Sequence, residues 1–414
     1  MLKTMFYQWY LNFKKPENTL WVAPTLGAVL AVVFVLIAKL ADSHLSADAF
    51  PHLDLDTLDD LLNVIASTML AVSTFSLSIM VSAFGSASNA TTPRATKLVM
   101  SDGSTRLAIG SFLSAFVYAI IAKIALGLGF YAQNGRFVLF VGTLLILGYL
   151  ILMLIRWVQI LSQLGGQSNT LSKISHATQA AVQAYYQDPQ MGTGGKALAD
   201  TAPPVLANGA GYLTHINLAG LQKLAQDQQG YIHIIAHAGD FIMPDSTLAL
   251  VENVDAADEI RACFMIDASR DFAQDPEWGF IVLSEVAQRA LATNNDAGTA
   301  IAVMTSIFNL TTADYTPSEE VQFDRLFIAP LDTTKWLENS FYPIMRDGSG
   351  TLEVQLVMQK VLFGIFCHAK DHTLQQSAKS IAQSALQRAQ ETLAFDDDKA
   401  ELATLHEGLF AKSE

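Results

Sequence analysis

Apolar residues are distributed along this chain in two different ways. Over the first 164 positions they come in four long runs, at about 21–40, 61–84, 107–130 and 137–161. Beyond that they recur in short amphipathic bursts separated by Gly, Pro, Asn and Asp. A helix needs about 20 mostly apolar residues to cross ~30 Å of hydrocarbon, and each run is long enough. The pattern predicts an α-helical membrane protein with four transmembrane helices in 1–164, followed by a cytoplasmic α/β (α+β) domain. Only a few residues around Asn134-Gly135-Arg136 separate the last two runs, which predicts a helical hairpin.

In residues 165–204 the pattern predicts one polar-faced helix, 170–186, and a linker rich in Gly, Pro and Asp. The α/β domain is expected over 205–395. It opens with a strand at 211–217, a helix at 218–228, a strand at 231–236 and a turn at Ala238-Gly239-Asp240. Further β-like runs stand at 247–251 and 261–266. Helices are predicted at 276–291 and 297–310, joined by the cap-rich turn Thr293-Asn294-Asn295-Asp296, and again at 352–369 and 374–393. Residues 396–414, opening on Asp396-Asp397-Asp398, are expected to form a frayed acidic tail. Gly239-Asp240-Phe241 followed by Leu248-Ala249-Leu250-Val251 resembles half of a lipoyl-like barrel-sandwich. No Lys stands at the place of that fold's modified residue, so a carrier role has no support.

Charge orients the spans. Short loops rich in Lys and Arg stay on the cytoplasmic side. Lys3, Lys14 and Lys15 precede the first run, whereas the next loop holds Asp42, Asp48, Asp54, Asp56 and Asp59 with no basic residue. Arg94, Lys97 and Arg106 follow the second run, and Arg156 and Lys173 flank the exit of the fourth. The alternation predicts both termini in the cytoplasm, with Trp9, Tyr10, Trp21 and Trp157 as interfacial aromatics. The whole chain is 51% hydrophobic and 15% charged, against roughly 25% charged in a soluble domain. Residues 1–164 carry 10 Lys/Arg and 8 Asp/Glu, and residues 165–414 carry 15 and 31. Such an acidic second half argues against nucleic acid as a partner, because phosphate neutralisation needs clustered Lys and Arg. Cys263 and Cys367 are the only cysteines, which excludes a disulfide framework and a CxxC metal site.

The second run carries the most chemical information. Asp60, Asn63, Ser67, Ala71, Thr74, Ser78, Ser82 and Gly85 recur at steps of three and four, within about 100° on a helix. Ile65, Met69, Val72, Ser76, Ile79, Met80 and Phe84 make the opposite face, and Val64 and Val81 lie at the stripe's margins. Small polar side chains in hydrocarbon either pack helices closely or line water. The stripe is therefore either the lining of a pore in a ring of subunits or a seam inside one four-helix bundle. Lys123 of the third run and Asp60 fall at matching depth near the outer boundary, where charges pair, meet water or snorkel. Gly110, Ser114 and Tyr118, with Ser111, Ala115 and Ala119 one step around, form a small-residue packing pattern.

Other chemistry is sparse. His233 and His237, and His368 and His372 beside Cys367 and Asp371, have ligand-like spacing but no third ligand, so no metal is expected. Gly192-Thr193-Gly194-Gly195-Lys196 lacks the strand and following Ser/Thr of a phosphate loop and reads as linker. No nucleophile–base set is visible, which predicts no enzyme and no cofactor. Arg270, Asp271, Asp275, Glu277, Glu285 and Arg289 surround one helix as a structural cluster or a regulatory site.

Several motifs carry a family resemblance. They are Phe75-Ser76-Leu77, Pro93-Arg94, Gly110-Ser111-Phe112, Phe116-Val117-Tyr118, Gly239-Asp240-Phe241, Gln274-Asp275 and Gly279. Further along stand Glu285-Val286-Ala287, Arg289-Ala290-Leu291, Asn295-Asp296 and Thr299-Ala300. In these the chain resembles the bacterial predicted-membrane-protein family known as domain of unknown function 2254, over nearly its whole length. Ala297-Gly298 stand where that family usually has a Pro, which implies a looser turn. The resemblance implies four spans and a cytoplasmic domain in a bacterial inner (plasma) membrane, and brings no activity. The expected function is that of an oligomeric ion channel or passive transporter, with the lipid bilayer, further copies of the chain and small ions as partners. A membrane-anchored sensor or scaffold is the alternative.

Overall fold

A computed structural model describes residues 22–44, 51, 54–90, 92–100, 103–163, 167–317 and 320–411. The N-terminal lysines, Trp9, Tyr10, Trp21 and Asp48 lie outside these residues. The chain divides into two compact units. Among the described residues, one unit holds the apolar helices up to Asn89 and from Thr96 to Asn169, and the other holds Ala90–Ala95 and the chain from Thr170 onward.

The apolar unit contains α1 (Val22–His44), α2 (Leu55–Ala90), α4 (Gly103–Gly127) and α5 (Gln133–Gln163), with the short α3 (Pro93–Met100) after α2. Among the described residues, three stretches are long and apolar enough to cross a membrane: Leu55–Ala83, Ser104–Gly127 and Gln133–Ser162. The shortest has 24 residues, or roughly 36 Å of helix. The first expected span forms a helix, but its apolar part among the described residues, Thr25–Leu40, is shorter. α4 stops at Gly127, before the expected residue 130. Gly129 takes φ +66°, and the Gly129 and Phe130 amides donate to the Leu126 and Ala125 carbonyls, a Schellman ending that suits only a residue tolerant of positive φ.

These helices pack through small residues and a few polar ties. A carbon added at Gly27 of α1 would collide with Ser114 of α4, and one at Gly142 of α5 with Phe34 of α1. Gly110, Ala115 and Ala119 are buried on α4, so the small-residue pattern of the third run is a packing surface. The Tyr118 hydroxyl meets Thr143 Oγ1 at 2.8 Å and Ser111 Oγ meets the Tyr149 hydroxyl at 2.8 Å, joining α4 to α5. Lys39 donates to the Phe130 carbonyl at 2.6 Å, which puts the end of α1 beside the α4–α5 turn. Leu26, Leu30, Phe75, Leu145, Leu152 and Val158 remain among the exposed large hydrophobics of this unit, as expected of a surface that hydrocarbon covers.

The second unit opens with α6 (Gln167–Gln187) and continues into a β-rich half. Strands β1 (Pro204–Leu206), β5 (Thr247–Glu252), β3 (Tyr231–Ile234) and β7 (Leu326–Ile328) form one sheet in the order β1-β5-β3-β7. Strands β4 (Phe241–Ile242), β2 (Gly211–Ile216) and β6 (Phe264–Asp267) form a second, in the order β4-β2-β6. Both sheets and α7 (Leu218–Asp227) share one core, which includes Leu213, Leu221, Ile232, Ile234, Leu248 and Leu326. The short helix α8 (Ala257–Arg261) precedes β6, where the sequence pattern had suggested a strand from residue 261. β7 pairs parallel with β3 although it follows two helices in the chain, so it ties the β-rich half to the helical half. The expected linker is docked as well: the Gly194 and Gly195 amides donate to the Phe323 and Leu326 carbonyls.

The helical half holds α9 (Pro276–Asn294), α10 (Ala297–Thr312), α11 (Thr334–Asp347), α12 (Leu352–His368), α13 (His372–Thr392) and α14 (Asp396–Phe410). α9 packs on α10 and α11, and α12 packs on α10, α13 and α14. The expected frayed acidic tail is helix α14. Its three aspartates occupy the first turn, where negative charge complements the helix dipole, and Leu402 and Phe410 are buried. Between α9 and α10, Asn295 turns left-handed and Asp296 caps the next helix, accepting from Thr299 N at 3.0 Å and Thr299 Oγ1 at 2.6 Å. The cap is formed without the family's usual Pro.

Two stability tests follow from these contacts. Gly27→Val should lower the thermal midpoint of the purified protein, at the ~1–3 kcal/mol typical of overpacking. Gly148→Ala, whose added carbon meets nothing within 4 Å, should hold or raise it, since Ala exceeds Gly in helix propensity by ~1 kcal/mol. Equal midpoints would contradict the α1–α4 packing.

Asp296→Ala should cost ~0.5–2 kcal/mol in urea unfolding at neutral pH. Hydrogen bonds from Thr299 hold the Asp296 carboxyl below its ordinary range. The contribution is therefore complete above the unfolded value of about 3.9 and fades as pH falls through the lower folded value. Asp296→Asn, which keeps an acceptor, should lose that acid dependence; a wild-type acid slope in the Asn variant would contradict the assignment.

Candidate functional site

The polar stripe of α2 points away from its own unit. Asp60, Asn63, Ser67, Ala71, Thr74, Ser78, Ser82 and Gly85 are all exposed. Leu58, Leu62, Ile65, Met69, Ser76 and Met80 are buried, and at 100° per residue their centre lies roughly 180° from that of the stripe. The stripe is thus not a seam inside the described bundle. Large apolar side chains flank it: Val64 and Phe75 on one side, Leu70, Leu77 and Val81 on the other, all exposed. Along the stripe, Ser67 Oγ donates to the Asn63 carbonyl at 2.8 Å, Thr74 Oγ1 to that of Leu70 at 2.9 Å and Ser78 Oγ to that of Thr74 at 3.1 Å. Each hydroxyl spends its proton on its own helix and turns acceptor lone pairs outward.

Lys123 sits at the start of this stripe. Its ammonium lies 3.2 Å from Asp59 Oδ2 and 3.3 Å from Asn63 Oδ1. Its acidic partner is therefore Asp59, the neighbour of the Asp60 that depth alone had suggested. Asp59 and Asn63 are four residues apart, so one side chain on α4 reaches both. Asp60 stays exposed at the head of the stripe.

A second cluster forms around the first half of α9. Asp275 caps the helix by accepting from Trp278 N at 3.1 Å, and Pro276 follows as its first residue. Arg270 grips Asp275 through two bonds, Nε to Oδ2 at 2.6 Å and Nη2 to Oδ1 at 2.8 Å, and reaches Glu277 Oε2 at 3.0 Å. Burial works against the Arg270 charge, but Asp275 and Glu277 outweigh it and raise its pKa. Gly239, at φ +101°, passes so close that an added carbon would lie 2.6 Å from Asp275 Oδ2. Glu277 also accepts from Asn339 of α11. Asp271 accepts from the Ala273 amide at 2.8 Å.

Glu285 finds its partners far back in the sequence. Thr92 Oγ1 donates to Glu285 Oε2 at 2.8 Å, and Arg94 pairs with Glu285 Oε1. The Arg94 guanidinium also lies 5.0 Å from the centre of the Trp278 ring, and that of Arg270 lies 5.4 Å from it. The sequence placed Glu285 in an acidic and basic cluster but held no pointer to Thr92. A polar pair just after an apolar run was the only available signal.

The histidines take structural positions. The His233 ring meets the Leu198 backbone and His237 Nε2 lies 2.8 Å from the Ala329 carbonyl. His368 ends α12 and His372 begins α13, so the two do not share a helix. Among the described residues no group of three or more His, Cys, Asp or Glu is placed to hold a metal ion.

The residues that converge here, Arg94, Gly239, Asp275 and Glu285, are among those that carry the family resemblance. No curated protein and no solved structure matches the chain. The family model described as Predicted membrane protein (DUF2254) matches residues 17–363, and the chain belongs to that family.

Proposed function

We propose that the protein assembles as a cyclic homo-oligomer in the bacterial inner (plasma) membrane and conducts small cations along a path lined by α2. The observation that carries this reading is the direction of the stripe. Seven of its side chains, Asp60, Asn63, Ser67, Ala71, Thr74, Ser78 and Ser82, face outward from the unit. Around a shared axis they would meet water, while the apolar flanks would meet neighbouring subunits. Outward acceptor oxygens and the exposed carboxylate of Asp60 favour cations over anions. Four spans with both termini in the cytoplasm accord with the loop charges. They also accord with the contacts Lys39–Phe130 and Lys123–Asp59, which gather the end of α1, the start of α2 and the α4–α5 turn at one end. The α/β unit is then cytoplasmic and serves assembly or gating, with no catalytic residue and no cofactor. A tethered scaffold is the second reading, favoured by the stripe hydroxyls being satisfied within α2 and so tolerable against lipid.

Topology is tested by impermeant thiol labelling of single cysteines. Cysteine at Asp48 should react from outside, and cysteine at Lys97 or Lys196 should not. Equal labelling of all three would overturn the four-span arrangement.

Transport is tested in vesicles after the mass in detergent has been measured. The mass should be that of an oligomer, and the wild type should pass small cations. Thr74→Leu and Ser78→Leu should abolish flux by dewetting a narrow path, Asp60→Asn should lower it, and Val72→Leu should change it little. A monomeric mass, or wild-type flux in the two Leu variants, would favour the scaffold reading.

A further inference from the structure

The segment that leaves α2 is held by α9. α2 ends at Ala90, and Ala90–Ala95 belong to the compact unit that contains α9. Thr92 is 4% exposed. It starts α3 by accepting from Arg94 N at 3.3 Å, with Pro93 as the first helical residue, the arrangement in which a Thr cap and Pro restrict the backbone most. The same Thr92 hydroxyl donates to Glu285 Oε2 at 2.8 Å while Arg94 pairs with the other oxygen. One carboxylate therefore engages both side chains, and Trp278, 8% exposed, carries the Arg94 guanidinium on its ring.

α9 itself has little freedom to yield. Phe280, Val282, Leu283, Val286 and Ala287 are fully buried. Phe280 stacks on Trp336 of α11 at 5.4 Å, and Ser284 Oγ donates to the Ser340 carbonyl at 2.7 Å. An added carbon at Gly279 would collide with Thr178 of α6. α11 and the Arg270–Asp275–Glu277 cluster both contact α9. From α9 the Glu285 contact leads in two residues to the end of α2.

We propose that Glu285, Thr92 and Arg94 form a regulatory clamp through which the α/β unit sets the conducting state of the α2 path. Its transport role rests on the cation-path reading, whereas the clamp itself is a separate physical claim. A salt bridge as exposed as this one would by itself be weak. Here the buried Thr92 hydroxyl and the Trp278 ring fix the geometry, and releasing the carboxylate leaves the Arg94 charge on that ring without its anion.

Hydrogen exchange on the full-length protein and cation flux in vesicles test the two parts together. Glu285→Gln and Arg94→Gln should each speed amide exchange at Thr92, Arg94 and Ala95 by about tenfold, the scale of a lost charge-assisted bond, and leave the α9 core protected. Both should change flux several-fold in the same direction. The reversed pair Arg94→Glu with Glu285→Arg should return exchange and flux toward wild type. Glu252→Gln, which breaks the exposed Lys196–Glu252 pair, should alter neither. Unchanged exchange in the Gln variants would overturn the clamp. Faster exchange with unchanged flux, in a wild type that conducts, would overturn its regulatory role. A wild type without flux but with faster exchange in the Gln variants would overturn the cation path and the regulatory role while leaving the physical clamp.

Discussion

The close approach of α9 to its neighbours is the constraint on which the α/β unit depends. At Gly279 there is no room for one added carbon against Thr178, so the Thr178 side chain of α6 packs directly on the backbone of α9. That contact orients a helix whose Phe280 and Ser284, on one face, hold Trp336 and Ser340 of α11. α6 is the element that continues from α5, and Glu285 of α9 holds the segment that continues from α2. The two chain connections out of the apolar helices therefore end on the same helix.

The ion pairs on α9 differ in what they do because they differ in exposure. The Arg270 and Asp275 side chains are 11% and 3% exposed. Their charges are taken out of water, and removing either would strand the other, a loss that typically costs ~3–5 kcal/mol. This pair positions the Gly239 turn against the helix start and belongs to the fold. The Arg94 and Glu285 side chains are 50% and 25% exposed. Such a pair can open and close without unfolding its surroundings, which suits a joint better than a core.

In the apolar unit the burial of hydrocarbon supplies no preference for helix over lipid. Small residues and polar ties supply the specificity instead. Gly27 and Ser114, Gly142 and Phe34, and the Tyr118–Thr143 bond place α1, α4 and α5. α2 contributes its apolar face to that core and leaves its polar face outside it. The arrangement is that of a soluble amphipathic helix, but here the outward polar face stands among exposed apolar side chains such as Phe75 and Val81 that suit hydrocarbon, so it requires either internal satisfaction of each hydroxyl or a wet partner.

Periodicity and charge determined much of this protein on their own. The four apolar runs, the α9 and α10 helices with their capped turn, and the family marks were legible because helix formation and capping are local. So was the α2 stripe as a face, since 3.6 residues per turn fixes which positions align. Which way that face points was not legible, because direction depends on the apolar face winning its place in the core it shares with α1, α4 and α5. Nor was the α14 helix, whose Asp-rich start looks frayed until Leu402 and Phe410 find a core. Lys123 chose Asp59 over Asp60 through a difference of one residue, about 100° of rotation that only the packed helices decide. Glu285 and its partners stand 191 and 193 residues apart. No local rule links such positions; the tertiary fold joined them by placing Arg94 against Trp278 and both Thr92 and Arg94 within reach of one carboxylate.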